Sequence, residues 1–300
     1  MLTEIEGVRV GHWTDPIART GCTVVRFPDG TVASGEVRGG APATREFALL
    51  DPLRTVERLD AVVLSGGSAF GLAAADGAVG VLTEEGVGFA TGAGPVPIVV
   101  GMCLYDLAEG DGSVRPGASE GRRATLAASA GPVPLGRTGA GAGATVGNWR
   151  GPDHTRPGGL GGWAVRVGDL VVAALIAVNA AGDIDDGGTV AELLAGSFAE
   201  IEVAPFGGAD AADSPAPVEN TTIGVVATNA RLTKAECHLV AQSCHDGYGR
   251  ALVPVHTAGD GDAVVVAATG AVDARVGTVR LAALVAVEQA IRQVSAAEAD

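Results

Sequence analysis

The sequence predicts a mixed α/β protein, and three observations carry that reading. Apolar runs of strand length recur along the chain, bounded by Gly, Pro, Asp and Asn. Two Thr-x-x-Glu capping boxes, residues 189–192 and 233–236, mark helix starts among them. A final segment, 273–297, sets Val276, Val279, Leu284, Val287, Ala290 and Ile291 near one face at helical spacing. With 300 residues and 47% hydrophobic content, the chain has apolar material for one large domain or two ordinary ones.

Taken in order, residues 22–27 and 31–37 flank Pro28-Asp29-Gly30, a composition that suits a tight turn, so they are expected to form a hairpin. Residues 61–65 form a short apolar strand, followed by Gly66-Gly67 and a helix over about 68–82, with Ser68 as its N-cap or a packing residue. Two glycine-rich tracts follow, 136–147 and 151–162. Residues 163–167 and 170–178 pair around Gly168-Asp169 as a second hairpin. Residues 221–228 and 262–269 are apolar enough to be strands buried on both faces. Immediately before residue 221, 205–220 combines Pro, Gly, Ala and acid, with Phe206 and Val218 as its only large apolar side chains. It reads as an exposed linker of the length that is usually functional or disordered.

Composition narrows the function. Glycine accounts for 46 residues, roughly twice the usual ~7%, and only 11 residues are aromatic, so the core must be built from Ala, Val, Leu and Ile with close backbone approach. The net charge is −15, of which residues 151–300 carry −11, and the stretch 183–219 holds nine acids and no base. So acidic a chain lacks the basic stripe that nucleic acid requires, and an anionic membrane surface would repel it. Residues 1–10 have neither the basic nor the apolar region of a signal peptide, and the longest apolar run, 170–178, is too short to cross a bilayer. The four cysteines form no disulfide-scaffold pattern, and a cytoplasmic setting is expected.

Several motifs are set aside on chemistry. Lys234, the single lysine, lies inside a capping box, so no P-loop is present. GGSAFG at 66–71 departs from G-x-S-x-G at Phe70, and GAGAGATVG has the wrong spacing for a dinucleotide fingerprint. Cys237-His238 and Cys244-His245 are two helical turns apart, about 10.5 Å, too far to share one zinc. Their cysteines read as small core residues and their histidines as edge residues. Asp183, Asp185 and Asp186 lack the further ligands of a calcium loop and read as a solvated turn. No metal and no cofactor is expected. What remains is Thr221, a hydroxyl residue that ends a linker and starts a buried strand. An N-terminal-nucleophile hydrolase has this arrangement at its maturation site: the hydroxyl attacks the preceding carbonyl, here that of Asn220, and the freed α-amine then serves as its own base.

Residues 7–15 (GVRVGHWTD), 20–25 (TGCTVV), 65–79 (SGGSAFGLAAADGAV) and 220–237 (NTTIGVVATNARLTKAEC) resemble, in order, the motifs of the DmpA-type L-aminopeptidase/D-esterase family. That family includes the β-aminopeptidases and is related in fold to the ornithine acetyltransferases. The similarity runs from the N-terminus to about Gly270. It implies a single domain with a four-layer αββα sandwich of Ntn-hydrolase type, self-cleaved into an α chain (1–220) and a β chain (221–300). Thr221 matches the nucleophile, and Asn179 the amide that donates to the oxyanion. Asp260-Gly261-Asp262 stands where the family has Ser-Gly-Glu, so Asp262 takes the carboxylate role and Asp260 replaces the serine. The acid some members carry before the GAGAG tract is missing at 135–138, and no tyrosine lies there. The resemblance thus implies an aminopeptidase or amidase acting on a small peptide or an aminoacyl amide or ester, as a homo-oligomer of processed protomers. An acyltransferase of the ornithine acetyltransferase type and an unprocessed, non-catalytic binding relative are the alternatives.

Overall fold

A computed structural model describes residues 1–195 and 220–296. Ten strands build two five-stranded sheets. They are β1 (Arg9–Asp15), β2 (Thr20–Arg26), β3 (Val32–Val37), β4 (Ala43–Arg45), β5 (Ala61–Ser65), β6 (Val99–Cys103), β7 (Gly159–Val167), β8 (Leu170–Asn179), β9 (Thr221–Ala230) and β10 (Ala263–Val272). The first sheet has the order β1-β2-β5-β6-β4 and the second β7-β8-β9-β10-β3. Four α-helices complete the layers, α1 (Ala74–Glu84), α2 (Ala118–Leu126), α4 (Lys234–Ala251) and α5 (Val276–Ala296), and a further helix, α3 (Gly188–Ala195), follows β8 with most of its described residues exposed.

Strand periodicity explains why four layers form. Along β8, Val172, Ala174, Ile176 and Val178 face α4 and α5, while Ala173, Leu175 and Ala177 face the other sheet. The same alternation divides Val264 and Val266 from Val265 and Ala267 on β10. On the first sheet, Val62, Leu64, Val100 and Met102 point inward, and Val24, Val63 and Val99 point out to α1 and α2. Each sheet therefore buries both faces, which is why its strands are continuous apolar runs. Small residues let the layers close up. A Cβ at Gly121 on α2 would lie 1.9 Å from Ala74 O on α1. The result is an αββα sandwich, as expected.

The second expected hairpin forms, with Val167 opposite Leu170 and Gly168 at φ 60. The first does not. Pro28-Asp29-Gly30 does turn the chain: Gly30 has φ 82, and Thr31 donates its N–H and hydroxyl to Pro28 O at 3.3 and 2.7 Å. But β2 is already paired on both sides, by β1 and β5, so the turn hands the chain to the second sheet, where β3 pairs with β10.

The box at Thr233 caps α4 as expected, with Thr233 Oγ1 and the Glu236 carboxylate each bonding the other's backbone N–H. That at Thr189 does not form. The helix already includes Gly188, and the Thr189 N–H is taken by Asp185 Oδ1 at 2.8 Å. The acids there are not simply solvated. Asp185 is buried, and Asp183 accepts from Trp149 Nε1 and pairs with Arg150. The expected linker, apart from Asn220, and the last residue of the expected final helix lie outside the described residues.

Candidate active site

The sheet registers bring together one end of five strands. Asn179, the last residue of β8, lies directly opposite Thr221, the first of β9. Parallel pairing of β9 with β10 sets Ile223 beside Ala263, so the Asp260-Gly261-Asp262 turn entering β10 faces the start of β9. From the first sheet, the C-terminal ends of β5 and β6 deliver Ser68 and Cys103-Leu104-Tyr105 to the same place. A cavity of about 150 Å³ opens there, lined by Ala41, Ala43, Ser68, Cys103, Tyr105, Asn220, Thr221 and Gly259.

Thr221 is 4% exposed, and its Oγ1 donates a short hydrogen bond to the carbonyl oxygen of Asn220. The Gly261 N–H points between these two oxygens, 3.1 Å from Thr221 Oγ1 and 3.2 Å from Asn220 O. The hydroxyl, the peptide that precedes its residue and a backbone donor are thus assembled around one bond. Asn148 Nδ2 bonds the Asn220 side-chain oxygen, and Asn220 N–H donates to Gly259 O, fixing the residue from both sides.

Asn179 is fully buried, and its amide is held at both ends. Its Oδ1 accepts from Thr145 N–H and its Nδ2 donates to Tyr105 O, each at 2.9 Å. Nδ2 carries a second hydrogen beyond that bond. The GAGAG tract that leads to Thr145 is the packing behind this residue. Gly143 passes so close to Arg19 O that a Cβ would lie 2.0 Å from it.

The two acids differ in their partners. Asp262 Oδ1 accepts the Thr222 N–H at 2.7 Å, and Oδ2 accepts His256 Nδ1 at 2.7 Å and the His256 N–H at 3.2 Å. Asp260 accepts from Thr257 N–H and Oγ1 at 2.9 and 2.7 Å and from Ala181 N–H at 3.3 Å. Burial, and then the charge of Asp262, push the Asp260 carboxyl up to about 6. All five residues read from the sequence thus meet at this end of the sandwich: Thr221, Asn220, Asn179, Asp260 and Asp262.

Five residues at the site were not foreseen in these roles. Tyr105 lines the cavity although no tyrosine lies near the GAGAG tract; it arrives from the end of β6. Ser68 is not an N-cap: Gly67 takes that position, while Ser68 sits at φ 54 with its N–H on Leu104 O and its side chain in the cavity wall. Buried Asp106 holds this turn through Gly67 N–H at 2.7 Å and Thr20 Oγ1 at 2.8 Å. Asn148 follows the second half of the glycine tract, and His256 precedes Asp262 by six residues. Only the His256 position, so near the acids, offered a signal in the sequence. His245, expected at an edge, is 1% exposed and stacks edge-to-face on His256, because α4 packs its polar positions against the loop that enters β10.

Comparison with known proteins identifies the fold and the family. The architecture is shared with a β-aminopeptidase of Burkholderia sp. (TM-score 0.72, 23% identity, 98% of this chain and 85% of that one). It is shared also with the L-aminopeptidase D-Ala-esterase/amidase of Ochrobactrum anthropi, a variant of the Ntn-hydrolase fold (TM-score 0.70, 19% identity, 99% and 85%). In sequence, an uncharacterised aminopeptidase of Mycobacterium leprae is 41% identical over 294 residues, 91% of this chain and 79% of the relative. A 6-aminohexanoate-oligomer endohydrolase of Agromyces sp. is 30% identical over 278 residues, 90% and 75%. The profile of peptidase family S58 matches residues 1–300 from end to end, and with relatives this similar over nearly the whole chain, the protein belongs to that family of hydrolases.

Proposed function

We propose that the protein is a self-processing N-terminal-nucleophile hydrolase, an aminopeptidase or amidase that works through an acyl-Thr221 intermediate. The observation that carries this reading is the Gly261 N–H shared between Thr221 Oγ1 and Asn220 O. In the maturation step, Oγ1 attacks the Asn220 carbonyl carbon. Its proton passes to the departing Thr221 nitrogen, and the C–N bond gives way to an ester. The Gly261 N–H lies where the oxyanion develops. Water then hydrolyses the ester, leaving an Asn220 carboxylate, a free Thr221 hydroxyl and its α-amine. That amine accepts the hydroxyl proton when a substrate carbonyl is attacked. Asn179, across the ladder from Thr221, supplies the amide donor for the substrate oxyanion. Asp260 and Asp262 orient the new N-terminus.

A second substrate reading has an observation in its favour. Among the described residues lining the cavity, none is a carboxylate that could hold a substrate ammonium. This favours an amidase that accepts amides without a free α-amino group beside the scissile bond, in keeping with the similarity to the 6-aminohexanoate-oligomer endohydrolase. Intact mass spectrometry tests the common mechanism: the mature protein should consist of residues 1–220 and 221–300, and only uncut chain would refute it. Hydrolysis of aminoacyl p-nitroanilides against their N-acylated forms separates the two substrate readings.

A further inference from the structure

We propose that His256 is a positioning residue that fixes the Asp262 carboxylate against the first turn of β9 and thereby aligns Thr221; the inference rests on the hydrolase reading above. A carboxylate is acceptor-only, so the 2.7 Å contact makes His256 Nδ1 the protonated nitrogen and the donor. The His256 backbone N–H bonds the same oxygen at 3.2 Å, and the Thr222 N–H bonds the other at 2.7 Å. Three donors therefore clamp the carboxylate in one orientation, and one of them belongs to the residue next to Thr221. His256 touches Asp262 and not Thr221, so its action is indirect.

The backbone supports the assignment. His256 sits at φ 54, in the left-handed region that β-carbon sterics disfavour and where Gly or Asn is the easier occupant. Such strain persists where the surroundings over-determine a conformation, and here it aims the backbone N–H and Nδ1 of the residue at one carboxylate oxygen. The ring is also held from behind. It meets His245 edge-on at 4.8 Å and Tyr248 at 5.9 Å, both on α4. The other charged and titratable groups around it are Asp260 on its own loop and the Glu36–Arg38 pair on and beside β3, where Glu36 O accepts from His245 Nε2 at 3.2 Å. Among them, no ammonium or guanidinium bonds Asp262 in place of the imidazole.

The test compares wild type with His256→Asn, His256→Gln and His256→Gly. Asn keeps an N–H near the Nδ1 position and tolerates the left-handed backbone; Gln reaches too far; Gly relaxes the backbone and removes the donor. Chain cleavage is followed by intact mass, and turnover with aminoacyl p-nitroanilides and N-acylated p-nitroanilides. Asn should stay within about threefold of wild-type kcat. Gln and Gly should lose roughly 10- to 100-fold in kcat with KM changed less than about threefold, as expected when alignment rather than binding is lost. If one of these two fails to fold, the other is compared with Asn. Wild-type kcat in a folded Gln or Gly variant overturns the inference alone, and so does an equal loss in all three. A wild-type protein that remains one chain and hydrolyses neither class of amide overturns the hydrolase reading and this inference with it.

Discussion

Replacing Gly261 with Ala asks whether the hydroxyl of Thr221 is held in a reactive position or merely buried. Gly261 does not use the left-handed backbone, so Ala can adopt its conformation. An added Cβ, however, would stand 2.8 Å from Thr221 Oγ1 and 2.8 Å from Ala41 O, where ordinary contact begins near 3.4 Å. Ala41 is backbone held by its own N–H on Asp260 O, so the hydroxyl must retreat, by roughly 0.6 Å. A misplacement of about 1 Å can cost ~100-fold, so the retreat alone should slow the proposed cleavage ~10-fold. If the Gly261 N–H is also turned away from Asn220 O, the loss approaches ~1,000-fold. The overpacking should cost about 1–3 kcal/mol of stability, partly offset by the stiffer unfolded chain. The assay is intact mass against time after translation in a purified system, with thermal unfolding as the control. A folded Gly261→Ala chain that cleaves at the wild-type rate would refute the positional argument.

Thr221→Ala should remain a single chain by mass and turn over no amide; residual hydrolysis would place the nucleophile elsewhere. Asn179→Ala should lower kcat by ~100- to 1,000-fold with the fold retained, read by steady-state kinetics beside circular dichroism. Lys234, 4% exposed, donates to the carbonyls of Leu49, Arg54 and Val56 at 2.8, 3.0 and 2.8 Å, so Lys234→Met should cost about 3 kcal/mol in urea unfolding without changing KM. Burial, and then His256, push His245 down to about 3, so between pH ~6.5 and ~3 the unfolded chain binds a proton that the folded chain refuses. Stability is therefore lost as pH falls, at about 1.4 kcal/mol per unit for this group. The loss between pH 7 and 5 should be about 2 kcal/mol smaller in His245→Gln; an equal loss would show that the folded state binds that proton after all.

How much of this was legible follows from the range of the forces involved. The strands of the second sheet and the cap at Thr233 depend on local pattern, apolar runs and a reciprocal hydrogen-bond pair, so the sequence displays them directly. The failed hairpin at 28–30 depends on something non-local. Its turn residues are correct, but β5, more than thirty residues later, occupies the edge of β2 that β3 would need. Ser68 followed the same logic: its capping chemistry was plausible, but Asp106 captures the preceding Gly67 and swings the serine into the cavity wall. Thr221 was visible as a hydroxyl between a linker and a buried strand, and the site acids through their resemblance to a family pattern. Tyr105 and Asn148 were not, because each reaches the site from the end of an element whose position only the packed sheets determine.

The electrostatics of the site give the proposed maturation a physical logic. Asp260 and Asp262 are buried at 1% and 2% exposure beside the start of β9, and the bonds they accept come from N–H and hydroxyl donors. Two carboxylates sharing a dry site resist being charged together, which is why burial and the neighbouring charge push Asp260 up to about 6. In the uncut chain, the Thr221 nitrogen at the start of β9 is a neutral amide. The proposed cleavage after Asn220 would convert the Thr221 nitrogen into an amine, which as an ammonium offsets that repulsion and as a free base can take the hydroxyl proton. The opposite-charge neighbour favours the ionised form of Asp260. The carboxylate pair thus makes a poor environment for the precursor and a good one for the product. An N-terminal threonine can then be held in place by the same acids that tune its amine.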